Sequence, residues 1–212
     1  MKKVFAILAV LIILFAGTIY FIYFRGGKRG PRGPKPVPMA VSKHSPGFNQ
    51  SVKTLLKSYY DMSEAFVNWD SAGVNRFAEQ LKLGLDSLRL DELKVDTTGI
   101  YESALDPLNN ARAETVGILS NSSLDMKRTA LNNLSENIRL LLIVVKYDQE
   151  KLYWQECPMA FGADRPGNWL SQTAVIRNPY LGTRHPAYKD DMLVCGETKD
   201  TLNFMQTDTL KE

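Results

Sequence analysis

The sequence has few of the side chains that most chemical sites use. Its 212 residues include two cysteines and two histidines, His44 and His185. No Cys-x-x-Cys redox motif, phosphate-binding glycine loop or Gly-x-Ser-x-Gly nucleophile elbow occurs in the chain. Neither histidine forms an evident acid-base pair with a cysteine. These absences favour a protein that is not an enzyme.

Histidine is missing altogether between residues 45 and 184. Helical bundles that hold two metal ions carry Glu-x-x-His on their inward faces, so this absence excludes a ferritin-like metal site from the middle of the chain. Convincing strand-like alternation is also missing before residue 148. The sequence therefore predicts a mainly α protein whose helices act as a scaffold.

Acidic residues are missing from the first 36 positions, which carry seven Lys or Arg residues. The remainder of the chain holds 19 basic and 23 acidic residues, so it is mildly acidic. A nucleic-acid-binding domain would need its basic face on the folded part rather than on the tail. The charge distribution therefore argues against nucleic acid as a partner.

One long hydrophobic run is present, from Val4 to Phe24, and it contains no charged residue. About 20 apolar residues are enough to cross a bilayer as a helix. The run ends in an aromatic belt at residues 20–24, and no small-x-small cleavage site follows it. A lipoprotein is excluded because no cysteine lies nearby. We therefore expect residues 1–24 to be an uncleaved membrane anchor rather than a cleaved signal peptide.

Residues 25–47 form a linker rich in glycine, proline and basic residues. Such a segment is extended, and it either contacts anionic lipid head groups or acts as a solvated spacer. Its positive charges favour a cytoplasmic domain by the positive-inside rule. A single N-terminal span followed by a domain is, however, the usual layout of an exported, anchored protein. We favour a single-pass inner-membrane protein with its domain in the periplasm.

Four amphipathic stretches occupy residues 48–147. In the first, from Phe48 to Trp69, apolar residues recur alternately four and three positions apart, as in a heptad seam. The third stretch, residues 98–120, contains Pro107, which predicts a kink or two short helices. Short polar turns join the stretches, so the sequence predicts an antiparallel, up-down-up-down four-helix bundle. Its expected core comprises Val52, Leu55, Tyr59, Phe66, Phe77, Leu81, Leu131, Leu134, Ile138 and Leu141.

Residues 148–212 have a different character. Lys151 to Cys157 alternates as a short strand would, and the following residues are too rich in glycine and proline turns for a long element. A loop-rich segment buries little apolar area per residue and needs an internal fastener to offset the entropy of ordering it. We expect this C-terminal segment to pack on the bundle, and we interpret Asp190 and Asp191 as a solvated turn rather than a catalytic dyad.

The two cysteines bracket this segment, and each has a methionine close by in sequence. Cys157 and Met159 are two residues apart, so an extended backbone points both to one side. Met192 and Cys195 are three apart, so a helical turn does the same. Both pairs can converge on one point. The sequence therefore predicts that the two thiols lie within bonding reach of each other.

Three arrangements of these side chains stay open. A Cys157–Cys195 disulfide would close a loop of about 40 residues and contribute roughly 3–4 kcal/mol in an oxidising compartment. A soft-metal site would use Cys157, Met159, Met192 and Cys195, with His185 as a further ligand, and would favour Cu(I) over zinc. The third arrangement is a pair of inert buried thiols.

The order of the motifs in this region resembles an uncharacterised family, the domain of unknown function 3347. The resemblance extends over residues 48–200. In the helical part, Arg128, Leu131, Leu134 and Ser135 resemble the family's Arg-x-x-Phe-x-x-Leu-Ser pattern, with Leu in place of Phe. The C-terminal motifs are Cys157-Pro158-Met159-Ala160-Phe161, Asn168-Trp169-Leu170-Ser171, Ile176-Arg177-Asn178-Pro179-Tyr180-Leu181-Gly182 and Met192-Leu193-Val194-Cys195-Gly196-Glu197.

This resemblance implies an extracytoplasmic domain and raises the expectation of a metal site. The family is common in Bacteroidetes, and similar domains are attached to periplasmic adaptor proteins of heavy-metal efflux pumps. The segment from Thr183 to Asp190 looks like an insertion, which makes His185 the weakest ligand candidate. We therefore expect a copper-binding module linked to efflux or, alternatively, a disulfide-stabilised protein-interaction module.

Overall fold

The structure, a computed structural model, describes residues 44–205. These residues form four α-helices, one 3₁₀-helix and a three-stranded sheet. The helices are α1 (Pro46–Val67), α2 (Ser71–Ser87), the 3₁₀-helix (Asp91–Val95), α3 (Ile100–Ser120) and α4 (Leu124–Val145). The strands are β1 (Leu152–Cys157), β2 (Gly167–Ser171) and β3 (Glu197–Leu202). The predicted mainly α class is confirmed, and the sheet is an addition to it.

Local sequence signals set the helix starts. The Ser45 hydroxyl accepts a hydrogen bond from the Phe48 backbone N–H at 3.1 Å, directly before Pro46 in the first turn of α1. The Asp70 carboxylate caps α2 in the same way, because it accepts a hydrogen bond from the Gly73 backbone N–H at 2.9 Å. At α4, Ser123 occupies the N-cap position but makes no side-chain cap hydrogen bond. Helix α1 therefore begins inside the predicted linker.

Pro107 lies inside one continuous helix, α3, so the alternative of two short helices is wrong. An interior proline removes one backbone hydrogen bond and costs about 3 kcal/mol or more. Pro107 is buried, as are Ala104, Leu108 and Ala111 on the neighbouring turns of α3. The apolar contacts of this face offset the lost hydrogen bond. The helix propensity of proline does not predict this outcome, because it takes no account of tertiary packing.

Consecutive helices pack against each other: α1 on α2, α2 on α3, and α3 on α4. All of the predicted core residues except Phe77 are buried between them. Phe77 is half-buried, with the Arg76 guanidinium 4.7 Å from its ring centroid, and the neighbouring Ala78 takes the fully buried position. The heptad spacing therefore located the packing faces of the helices to within one residue.

The sheet has β1 at its centre, with β2 and β3 antiparallel on either side. Strand β1 buries Leu152, Trp154 and Cys157, whereas β3 is exposed along its length except at Leu202. The charged side chains of β3 suit an edge strand, since they discourage pairing with another chain. Strand β2 packs on α4.

The predicted membrane anchor precedes the part of the chain that the structure describes. No helix between residues 44 and 205 has the length and apolar character needed to cross a bilayer. The predicted anchor, residues 1–24, and most of the linker, residues 25–43, lie outside the described part of the chain.

Truncation of Leu134 tests the assignment of the helical core. Its side chain is completely buried in α4, so Leu134→Ala should lower the free energy of unfolding by about 2–5 kcal/mol. The matched control is Leu83→Ala, because the Leu83 side chain in α2 is 67% exposed and should cost less than about 0.5 kcal/mol. Chemical denaturation of both variants measures the difference, and equal costs would contradict the assignment.

Candidate functional site

The two thiols meet between β1 and the turn that precedes β3. Cys157 is the last residue of β1 and is completely buried, and Cys195 is half-buried two residues before β3 begins. Their sulfur atoms lie 3.1 Å apart, and both cysteines are free thiols. The predicted convergence of Cys157 and Cys195 is confirmed.

Gly196 makes this approach possible. Its φ of +140° is a backbone conformation that residues with a side chain rarely adopt. A Cβ atom at this position would lie 2.7 Å from the Glu156 carbonyl oxygen and 3.1 Å from the Trp169 ring. The chain can therefore pass this close to β1 only with glycine beside Cys195, and the pairing of Glu156 with Glu197 continues from there.

Asn178 fastens the loop that carries Cys195. Its buried side-chain oxygen accepts hydrogen bonds from the backbone N–H groups of Tyr180, at 2.8 Å, and Leu181, at 3.1 Å. Its side-chain nitrogen donates to the Cys195 carbonyl oxygen at 2.9 Å. Buried backbone groups need such partners. One amide side chain thus connects the turn at residues 178–181 to the position of the second thiol.

Arg128 attaches the same loop to the helices. Its guanidinium is 3% exposed, and its Nε atom donates to the Pro179 carbonyl oxygen at 3.1 Å. It also lies 3.9 Å from the Trp69 ring centroid and pairs with Asp125 at 3.2 Å. Burial lowers the pKa of Arg128 to about 10, and Asp125 partly opposes that shift. Arg128 therefore remains charged at neutral pH while it anchors the loop.

A pair of buried tyrosines joins the sheet to the helices. The Tyr59 hydroxyl lies 2.6 Å from the Ser135 hydroxyl and accepts a hydrogen bond from the Leu170 N–H at 3.1 Å. The Tyr180 hydroxyl donates to the Asn168 carbonyl oxygen. Burial raises the pKa of Tyr59 to about 12 and that of Tyr180 well above its ordinary value. Both phenols are therefore neutral structural groups at physiological pH.

The environment of Cys195 keeps its thiol protonated. Burial raises the pKa of Cys195 to about 12, and the hydrogen bond to Cys157 acts in the same direction. The thiolate is the form that attacks electrophiles and binds metals. In this reduced geometry Cys195 is therefore a weak nucleophile and a weak ligand, whereas its distance from Cys157 suits oxidation of the pair.

The other predicted metal ligands have surroundings of their own. Met159 and His185 line a separate cavity that neither cysteine lines, and Met192 is half-buried against the core. The His185 Nδ1 atom accepts from the Ala187 and Tyr188 N–H groups, at 3.2 and 3.3 Å, and its ring contacts Trp69. Residues 44–205 contain no group of three or more His, Cys, Asp or Glu side chains that could hold a metal.

Several residues of this region have roles that the sequence did not reveal. The Asn178-Pro179 pair was interpretable only as a turn signal, although Asn178 is the best-connected amide in the loop. The spacing of Arg128 in the sequence does indicate a buried position, because Arg128 lies on the same face of α4 as Leu131 and Ser135. A charged residue on a buried face indicates a specific partner. The partner itself, a carbonyl group 51 residues away, could not be inferred.

No family model, no curated protein and no solved structure matches this chain. The resemblance described above therefore rests on the motifs and their order.

Removal of the Asn178 amide tests its role as the loop fastener. Asn178→Ala leaves the Tyr180 and Leu181 N–H groups and the Cys195 carbonyl oxygen without their partner, so the free energy of unfolding should fall by about 2–4 kcal/mol. The matched control is Asn203→Ala, because Asn203 is exposed and should cost less than about 0.5 kcal/mol. A neutral effect of Asn178→Ala would show that the loop is held by other contacts.

The raised pKa of Cys195 predicts slow alkylation of the reduced protein. A pKa of about 12, compared with the ordinary value of 9.0, lowers the thiolate fraction at pH 8 roughly a thousandfold. The stabilisation from the protonated thiol is fully present below pH 9 and is lost as the pH rises toward 12. Iodoacetamide labelling followed by mass spectrometry measures the rate, and labelling of Cys195 as fast as free cysteine at pH 8 would contradict the prediction.

Proposed function

We propose that this chain is a non-catalytic, membrane-anchored, extracytoplasmic binding domain. In this proposal the four helices form an antiparallel bundle, and a Cys157–Cys195 disulfide locks the C-terminal segment onto it. The segment then serves as a protein-interaction module. The observation that carries the proposal is the 3.1 Å separation of the two sulfur atoms.

The sulfur geometry favours a disulfide over a shared metal ion. A disulfide needs the sulfur atoms to come about 1 Å closer, to about 2.05 Å. An ion about 2.3 Å from each sulfur in a tetrahedral site needs them about 3.8 Å apart, so the pair would have to open. The protonated state of Cys195 also opposes metal binding, because the proton must leave first.

The proposed periplasmic location is consistent with this chemistry. Disulfides form and persist in oxidising compartments and are rare in the cytosol. The pair spans 38 positions of a segment with short strands and long loops, for which a covalent link contributes roughly 3–4 kcal/mol. The expected partners are the membrane, through the chain's own anchor, and another protein of the envelope, an efflux-system component in particular.

Copper binding is the second candidate function. It is favoured by the convergence of two thiols from distant positions in the chain, with Met159 and Met192 two and three residues from them. Thiolate and thioether ligands together select Cu(I). Such a module would bind copper only in the reduced state and would feed or sense a heavy-metal efflux system.

The oxidation state of the cysteines tests the first proposal. Full-length protein extracted in the presence of an alkylating agent should carry no label on Cys157 or Cys195. Loss of the link in Cys195→Ala should lower the free energy of unfolding by roughly 3–4 kcal/mol under oxidising conditions. With reductant present, the variant and the native protein should differ much less. Two alkylated thiols in the native protein would overturn the disulfide proposal. So would a loss of unfolding free energy in Cys195→Ala that is the same with and without reductant.

A Cu(I) titration separates the two candidates. The reduced, full-length protein is titrated against a competing chelator, beside the Met159→Leu, Met192→Leu double variant. Tight binding that the double variant loses supports the copper module. Equal binding by the native protein and the double variant, or no binding by either, supports the disulfide-locked interaction module.

A further inference from the structure

A cavity of about 440 Å³ lies between the start of α4 and the loops that follow β1 and β2. Neither Cys157 nor Cys195 lines this cavity. The volume is within the range of sites that hold small organic molecules. The walls come from three separate parts of the chain, around residues 125–129, 159–165 and 180–188, so the fold assembles the cavity and no single loop forms it.

Positive charge predominates in this cavity. Arg128 and Arg165 both line it, and Asp125 is the only acidic residue that does so among the described residues. The Asp125 carboxylate is already engaged by Arg128, at 3.2 Å. Within residues 44–205, the Arg165 side chain makes no hydrogen bond or ion pair. One cationic group is therefore free to receive an anion.

Arg165 lies in a tight turn, and its exposed side chain lines the cavity. The Phe161 N–H donates to the Arg165 carbonyl oxygen, and the Arg165 N–H donates to the Gly162 carbonyl oxygen, both at 3.1 Å. Gly162, with a φ of +105°, leaves the space that the guanidinium uses, since a Cβ there would lie 3.1 Å from its Nη2 atom. The Arg165 guanidinium therefore adds a charged, planar donor group to the lining of the cavity.

Aromatic rings form much of the remaining wall. Phe161 and Tyr180 pack edge to face with ring centroids 5.2 Å apart, and His185 stacks on Tyr188 at 4.8 Å. The His185 Nδ1 atom accepts from the backbone, which leaves Nε2 as the ring nitrogen available to a ligand. Such walls suit a flat apolar body, and Arg165 suits its acidic end.

We propose that this cavity binds a small aromatic carboxylate. The ring of the ligand packs among Phe161, Tyr180 and Tyr188, and its carboxylate accepts hydrogen bonds from the Arg165 guanidinium. The proposal goes beyond the thiol chemistry and does not depend on whether Cys157 and Cys195 are oxidised. The juxtaposition that carries it is an unpaired arginine above an aromatic cavity of ligand size.

Binding of 1-naphthylacetate to the full-length protein in detergent tests the proposal, with isothermal titration calorimetry as the measurement. The neutral analogue 1-naphthylacetamide should bind roughly tenfold more weakly or worse, because a charge-assisted hydrogen bond is lost. Cyclohexylacetate should also bind more weakly, because it lacks the flat ring. Absence of 1-naphthylacetate binding, or equal binding of the acid and the amide, would overturn the proposal.

Three variants locate the binding site. Arg165→Gln, at an exposed position that tolerates substitution, should weaken binding of the acid at least about tenfold and leave the amide unaffected. Asp125→Asn should strengthen binding of the acid, because it removes the negative charge from the cavity and keeps an acceptor for Arg128. Arg89→Gln is the matched control, since Arg89 lies outside the cavity lining and should change nothing. Equal effects of Arg165→Gln and Arg89→Gln would overturn the assignment.

Discussion

The burial of one positive charge organises the contact between the helices and the C-terminal segment. The Arg128 guanidinium is almost inaccessible, and a buried charge is tolerated only where partners compensate for lost hydration. Its partners come from three places: a carbonyl group of the Asn178–Leu181 turn, the Trp69 ring after α1, and Asp125 in its own helix. A different position of the loop would remove the Pro179 carbonyl oxygen from the buried guanidinium, which favours the observed docking.

The remainder of the segment depends on the turn that Arg128 holds. From this turn, the Asn178 side chain donates a hydrogen bond to the Cys195 carbonyl oxygen, and the Tyr180 hydroxyl donates one to the Asn168 carbonyl oxygen in β2. Tyr59 adds an independent link from α1 to β2. Hydrogen bonds from side chains to backbone therefore help to position a region of short strands, together with the burial of side chains such as Trp169 and Leu170. The approach of the two thiols is a product of this network.

Periodicity predicted the helical half of the molecule well, because helix packing repeats at a regular interval in the sequence. Prediction failed where tertiary contacts override local preference. Pro107 continues a helix that its own propensity would interrupt, and β3 carries polar residues that give no strand signal. In the site, the spacing of sulfur residues indicated that Cys157 and Cys195 meet. It could not show that His185 would face Trp69 and a different cavity, since that depends on loop conformation.

The polar character of β3 has a consequence for how the molecule opens. Five of its six residues are exposed, so the strand gains little from burial and is held to β1 mainly by backbone hydrogen bonds. Edge elements of this kind sit at the low-stability end of a protein and exchange their amide protons first. Cys195 lies directly before this strand, next to the central one. If the proposed disulfide forms, it links the start of this edge strand covalently to the end of β1, so opening of the edge would be rarer in the oxidised than in the reduced protein.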